Sequence, residues 1–199
     1  MRRVAAELGI TAMPLYGYFE NKEALLSAMI AEAFPGVSGE VDLDAPWQDQ
    51  LAEVMRQLRA ALTRHPGALD LLLSRAAPEL DPIRETLIRI LRTAGFDAEQ
   101  SVSHLIMLVS YAIGSVVISY RRGDPAAELN RIRELAPSRY PQLRASAAEY
   151  ARRGSTETYE QPLQLLISAL TLTTDRMSGR DTGAQDDRAS GAGLPDDRG

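Results

Sequence analysis

The chain has 199 residues, 45% hydrophobic and 25% charged, with 6% aromatic residues and no cysteine. That composition suits a small module plus one buried core, and the lack of cysteine excludes disulfides, thiolate nucleophiles and cysteine metal sites. A net charge of −5 excludes coating of nucleic acid by bulk electrostatics, so any contact with DNA must be local.

Val4, Ala5 and Leu8 set a short apolar stripe at helical spacing, and Gly9 stops it by permitting a left-handed turn. Thr11 is placed to cap a second helix through Phe19, with Pro14 in its first turn. Asn21 caps a third, which carries Ala24, Leu25, Ala28 and Met29 on one face. Residues 1–34 thus read as a small helical module, and 35–46, rich in Gly, Ser and acidic residues between two prolines, as a connection. A larger helical unit is expected over 47–177. Asp44 ahead of Ala-Pro-Trp starts a helix of about 20 residues. Its Leu51, Val54, Met55, Leu58 and Leu62 recur at helical spacing up to His65-Pro66. A shorter apolar helix runs from Gly67 to Ala77. Another runs from Asp81 to Ala94 with Ile83, Leu87, Ile90 and Leu91 inward, and Gly95-Phe96 stops it.

Asp97 and Gln100 form a capping pair for the most apolar helix, from Ala98 to about Tyr120, which has no charge between Gln100 and Arg121. A helix apolar all round must be covered on every side, and Ser110, Ala112, Gly114 and Ser115 are small enough to admit a close neighbour. The segment from Tyr159 to Leu172, with Leu163, Leu166, Ile167 and Leu170, has a similarly wide apolar surface. A homodimer through the helices near 98–120 and 159–174 is therefore expected. More polar helices over 125–136 and 141–153 join the two. Residues 178–199 are too polar and irregular to repay ordering entropy and read as a disordered tail. No segment alternates as strands do, so the expected fold class is all-α. The apolar stretch Leu105–Ile118 is shorter than the roughly 18 residues of a membrane span, so a cytoplasmic protein with no membrane partner is expected.

Two short helices across a glycine turn fit the geometry in which the second lies in the DNA major groove. The run Arg2-Arg3-Val4-Ala5-Ala6-Glu7-Leu8-Gly9-Ile10-Thr11, followed by Leu15-Tyr16, Tyr18-Phe19 and Asn21-Lys22-Glu23-Ala24-Leu25-Leu26, resembles the signature of the tetracycline-repressor (TetR) family. Val4, Leu8, Ile10, Leu15 and Phe19 take interior positions, and Ala5 lets the two helices approach. Thr11, Ala12, Met13, Gly17 and Tyr18 lie at the leading end or exposed side of the second helix, placed for bases and flanking sugars. Tyr16 and Lys22, the only lysine in the chain, fit phosphate contacts, and the resemblance implies that both clamp the backbone. Arg2 and Arg3 start the first of these helices, and Arg2 matches a position that reaches a base in some members.

The resemblance implies a ligand-responsive repressor bound to double-stranded operator DNA. It also implies a helix of about 15 residues ahead of the motif, covering the inner face of the two reading helices. The sequence opens without one, so Val4 and Leu8 are expected to lie partly bare and the native start to lie upstream. The alternative is a dimeric helical small-molecule binder that no longer binds DNA.

Trp47 to Leu172 resembles the family's C-terminal domains through His65-Pro66, Ala94-Gly95-Phe96 and Tyr140-Pro141. This implies a pocket among the central helices. Met55, Leu58, Leu62, Leu73, His104, Met107 and Tyr111 are the candidate lining residues, suited to a largely apolar or aromatic effector with a few polar groups. Each also fits plain core packing, with His104 as a hydrogen-bonded core or interface histidine and His65 as a helix end. Tetracycline-binding members use a histidine of the shorter central helix to help hold the drug's magnesium. Leu71 to Ser74 contains none, so a different ligand is expected. The two histidines lack metal-ligand spacing and no glycine-rich phosphate loop occurs, so neither catalysis nor a cofactor or metal is expected.

Overall fold

The computed structural model describes residues 1–37, 41–74, 77–120, 124–152 and 157–189, and every regular element among them is helical. The N-terminal head comprises α1 (Arg2–Glu7), α2 (Ala12–Tyr18) and α3 (Lys22–Ala33). Gly9, at φ 68°, makes the reversal after α1, and its amide donates to the Ala6 carbonyl at 3.1 Å. Thr11 is the N-cap of α2 but makes no side-chain cap bond, whereas Asn21 Oδ1 accepts from the Ala24 amide at 2.9 Å and fixes the start of α3.

The interior of the head is small, with Val4 and Leu8 bare as expected and Ile10, expected inside, bare as well. Ala5 and Leu15 are buried where α1 crosses α2, but Val4, Leu8 and Ile10 are 37%, 61% and 44% exposed and Phe19 is half-buried. Two short crossing helices enclose a single layer of side chains, and the remaining apolar positions have no third surface against them. In α3 the expected Ala24–Met29 stripe also shifts. Leu25, Ile30 and Ala33 are buried while Ala28 and Met29 face outward, because the second half of the helix packs on the body.

The body contains α4 (Trp47–Arg64), α5 (Pro66–Ser74), a 3₁₀ turn at Pro78–Leu80, α6 (Asp81–Thr93), α7 (Ala98–Tyr120), α8 (Pro125–Arg133), α9 (Pro141–Ala145), α10 (Ala147–Arg152) and α11 (Glu157–Ala189). At its centre, α4 packs against α6, α7 and α11 on one side and α3 and α5 on others. Leu51, Val54, Met55, Leu58 and Leu62 are all buried, as their spacing requires. The helix begins after Pro46 rather than at Asp44, and the Gln50 amide group bridges back to the carbonyls of Ala45 and Leu43 at 2.8 and 3.2 Å. Proline fixes the entry, leaving the Asp44 carboxylate outside the first turn.

Ile30, Ala33 and Phe34 belong to the same hydrophobic core as α4, and Val37 and Val41 pack partly against it. The core of the body therefore includes the end of α3. Between α6 and α7, Gly95 has φ 100° and Phe96 is buried. The expected capping pair forms reciprocally, with the Gln100 amide donating to Asp97 Oδ1 at 2.8 Å and the Asp97 amide to Gln100 Oε1 at 3.0 Å. Helices α8 to α10 pack mainly on one another around Ile132 and Ala147, and the Arg144 guanidinium closes the unit by donating to the Leu135 carbonyl at 2.7 Å.

Two further expectations change. Ala98–Ser119 is 22 residues long, and its most apolar window has mean hydropathy 1.9, long and apolar enough to cross a membrane, because the uncharged residues from Ser101 to His104 extend the stretch counted from Leu105. Its Ser101, Leu105, Leu108, Ala112 and Val116 are nevertheless buried in a body where α7 packs on α4 and α6, as in a core helix with one bare side. Residues 178–189, placed in the disordered tail by composition, continue α11 to Ala189. Elongation adds one hydrogen bond per residue without repeating the cost of nucleation. Residues 190–199 lie outside the described residues.

Tyr159 ties three helices together. Its hydroxyl donates to the Met55 carbonyl of α4 at 2.9 Å, and its own carbonyl accepts from the Tyr111 hydroxyl of α7 at 2.7 Å. The two rings stack with centroids 5.1 Å apart. Tyr159→Phe keeps the ring and deletes one buried hydrogen bond, so urea unfolding is expected to show a loss of about 1 kcal/mol with an unchanged m-value.

Candidate DNA-reading face and ligand cleft

Helix α2 turns Leu15 inward and displays its larger side chains outward. Met13, Tyr16 and Tyr18 are 80%, 54% and 84% exposed, although an isolated fold would normally hide groups of this kind. A Cβ added at Gly17 would meet nothing within 4 Å, so that side of the helix is open. Thr11 and Lys22 flank α2 and are exposed, as are Arg2 and Arg3 on α1. Ala12 is half-buried and turns only partly to this face. The nine candidate residues thus occupy one small head, with apolar and aromatic contact groups on α2 and cations at the first residues of α1 and α3. Lys22 sits at the N-terminus of α3, where the helix dipole reinforces attraction for an anion.

The candidate pocket residues separate into two groups. Met55, Leu58 and Leu62 are sealed in the core and Leu73 is 59% exposed, so none of these four holds the half-open position of a pocket wall. Helical periodicity finds the buried face of α4, and close packing consumes that face. His104, Met107 and Tyr111 are half-buried along one side of α7.

An open cleft of about 460 Å³ lies instead on the other side of α4, lined by Arg56, Arg59, Ala60, Thr63 and Arg64 together with Tyr159 and Glu160 of α11. A hollow of about 270 Å³ shares Ala60 and Arg64 with it and reaches Pro35, Gly36 and Val37 beside the end of α3. The sequence signal for this site is the polar set Arg56, Arg59 and Thr63 at i, i+3 and i+7, opposite the leucine stripe.

Within the cleft, Arg56 Nε donates to both Glu160 oxygens at 3.1 and 3.2 Å and its guanidinium approaches Glu53 at 3.7 Å. Arg59 is only 9% exposed, and its guanidinium carbon lies 4.7 Å from the Tyr159 ring centroid. Thr63 Oγ1 donates to the Arg59 carbonyl at 2.8 Å. Burial, and then the neighbouring Tyr111, push the Tyr159 phenol up, and burial pushes Tyr111 up as well. Both hydroxyls therefore remain protonated donors to their carbonyl partners.

His104 stands against the edge of Phe96, with ring centroids 4.6 Å apart, and Phe96 in turn meets Trp47 at 6.2 Å. Its buried Nδ1 has no hydrogen-bond partner among the described residues, unlike the hydrogen-bonded histidine expected, because the aromatic neighbours supply contact without a polar group. Burial lowers the His104 pKa below its ordinary 6.5, and Asp97 only partly opposes this. Protonation is then easier in the unfolded chain, so stability is full above pH 6.5 and falls as pH drops below it. Between pH 7 and pH 5 the melting temperature is expected to fall further than in His104→Gln, and parallel profiles would remove this assignment.

Among the described residues no group of three His, Cys, Asp or Glu side chains is placed to hold a metal ion. The family profile described as "Tetracyclin repressor-like, C-terminal domain" matches residues 42–173. The HTH-type transcriptional repressor DrrR1 of Streptomyces coeruleorubidus is 35% identical over 120 residues, 58% of this chain and 44% of that protein, so the match spans less than half of that relative's length. The Tetracycline repressor protein class A from transposon 1721 of Escherichia coli is 29% identical over 175 residues, 85% of this chain and 79% of that protein. Among solved structures, a possible TetR family transcriptional regulator from Streptomyces coelicolor A3(2) superposes with a TM-score of 0.73 at 27% identity, covering 86% of this chain and 88% of that one.

Proposed function

Since the chain belongs to the tetracycline-repressor family, we propose that it is a transcriptional repressor that binds operator DNA as a homodimer and leaves it when a small molecule occupies the body. The observation that carries this reading is the outward display of Met13, Tyr16 and Tyr18 on α2, a helix anchored by the buried Leu15. Three such groups gathered on one short helix suit contact with an external partner, and the flanking Arg2, Arg3 and Lys22 suit a phosphate backbone. Thr11, Ala12, Met13, Gly17 and Tyr18 are the base-reading set and Tyr16 and Lys22 the phosphate clamp. The relatives' names are those of regulators, and the reading is accordingly of a regulator rather than an enzyme.

A second copy covers the bare sides of α7 and α11. Val102, Ile106 and Ile118 on α7 and Leu165 and Leu172 on α11 are exposed at 46% to 70%. Their spacing continues the wide apolar faces of both helices, and water contact on such a surface is what a dimer interface removes. Ile106→Glu is expected to convert the dimer to a monomer by light scattering at micromolar concentration, while an exposed change away from this face, Arg131→Gln, leaves the mass as it was.

Release follows population shift. A ligand that binds better to the form with misaligned heads lowers DNA affinity by the factor with which DNA lowers ligand affinity. His104, Met107 and Tyr111 on α7 remain candidates for contact with the effector. A second reading, a dimeric small-molecule binder without DNA affinity, is favoured by one observation, the exposure of Val4, Leu8 and Ile10 on the head.

Gel shifts on the DNA upstream of its own gene separate the two readings. Specific binding that weakens with salt is expected, and its absence at low salt would overturn the repressor reading in favour of the second. Lys22→Ala is expected to weaken specific and random DNA alike and reduce the salt slope by about 1. Met13→Ala and Tyr18→Ala are expected to change which sequence is preferred.

A further inference from the structure

The geometry points to the cleft between α4 and α11 as the binding site of an organic anion with a flat apolar body, read by Arg56, Arg59 and Arg64. This goes beyond the effector reading above, whose candidate contacts lie on α7, and rests on it only for the consequence at DNA.

Three arginines and Glu160 line the cleft, and with Glu53 beside Arg56 they leave a local excess of one positive charge in a chain whose net charge is −5. Cations gathered in a low-dielectric concavity attract an anion far more strongly than the same charges spread over a surface. The charges are also held in place. Glu160 fixes Arg56 through both of its oxygens, and Arg59 is largely buried beside the Tyr159 ring. Arg56 and Arg59 thus add fixed positive charge to the cleft, and the group left to present a planar donor edge to a carboxylate is Arg64. Arg64, exposed at the rim, has no ion pair among the described residues.

The floor argues for the apolar body. Ala60, Thr63 and Tyr159 line the cleft between the arginines, whose aliphatic stems add apolar surface. The volume of about 460 Å³ falls within the range of small-molecule sites. A bare inorganic anion would leave that floor wet, and a neutral apolar molecule would cover the Arg64 guanidinium without pairing it.

The site also borders the route to the DNA-reading head. Arg64 and Ala60 line the adjoining hollow that contains Gly36, whose φ of 73° marks the bend just after α3. An anion drawn to Arg64 therefore acts beside the joint between head and body.

The test is fluorescence titration of the whole chain with anthracenecarboxylate, in the absence of DNA. Saturable binding at one site per chain is expected, with the neutral anthracenemethanol about tenfold weaker or more. Arg64→Gln, an exposed change, is expected to lower carboxylate affinity about tenfold with an unchanged melting temperature. Arg56→Gln should act in the same direction, whereas Arg131→Gln, in a separate ion pair on α8, should leave affinity as it is. Inorganic phosphate at matched ionic strength should not displace the probe. The proposal is overturned by no saturable binding, by equal affinity for the alcohol, by displacement with phosphate, or by an Arg64→Gln variant that binds as the unaltered chain does. DNA takes no part in this measurement, so its failure is distinguishable from a failed gel shift.

Discussion

The body depends on Tyr159. With its hydroxyl on the Met55 carbonyl, its carbonyl receiving the Tyr111 hydroxyl and its ring against Tyr111 and Arg59, one residue of α11 fixes the relative positions of α4, α7 and α11. Only 2% of it is exposed, so these polar contacts form away from water, where a donor left unpaired would be costly. The same residue is a wall of the cleft. Whatever enters there meets a group that three helices already share, and a shift of Tyr159 would be felt along α4.

Helix α4 also touches α3, which is not a separate element. Ile30 is fully buried in the core of the body, and Ala33 and Phe34 lie there with it, while Asn21 caps the other end of the same helix, just after α2. A close-packed core transmits displacement instead of absorbing it. The two ends of α3 therefore move together, and the hollow at Pro35 to Val37 sits where that motion would be resisted or allowed.

Exposed apolar groups have different forms in the two halves of the molecule, and the difference carries information. On α2 they are single large side chains, Met13 and Tyr18, rising from a short anchored helix beside cations. On α7 and α11 they form long rows of aliphatic residues on helices whose opposite sides are buried. The first pattern suits a polar partner with small apolar features, such as the edges of bases. The second suits another copy of the same surface.

The sequence by itself determined the helices and their ends. Gly9 and Gly95 stop helices because only glycine enters the left-handed region cheaply, and Asn21 and the Asp97–Gln100 pair start them because their side chains reach free amides locally. The two short helices of the head were legible for the same reason, since Gly9 and Thr11 set their ends locally. Tertiary structure alone decided which apolar residues are covered. Val4, Leu8 and Met29 fit a helical stripe as well as Leu15 and Ile30 do, and only the presence of a facing surface separates them. It also decided the cleft. Periodicity selects Met55, Leu58 and Leu62, but these fill the core, and the open site arises from Arg56, Arg59 and Arg64 meeting Tyr159 and Glu160 about a hundred residues away, a pairing that no local spacing encodes.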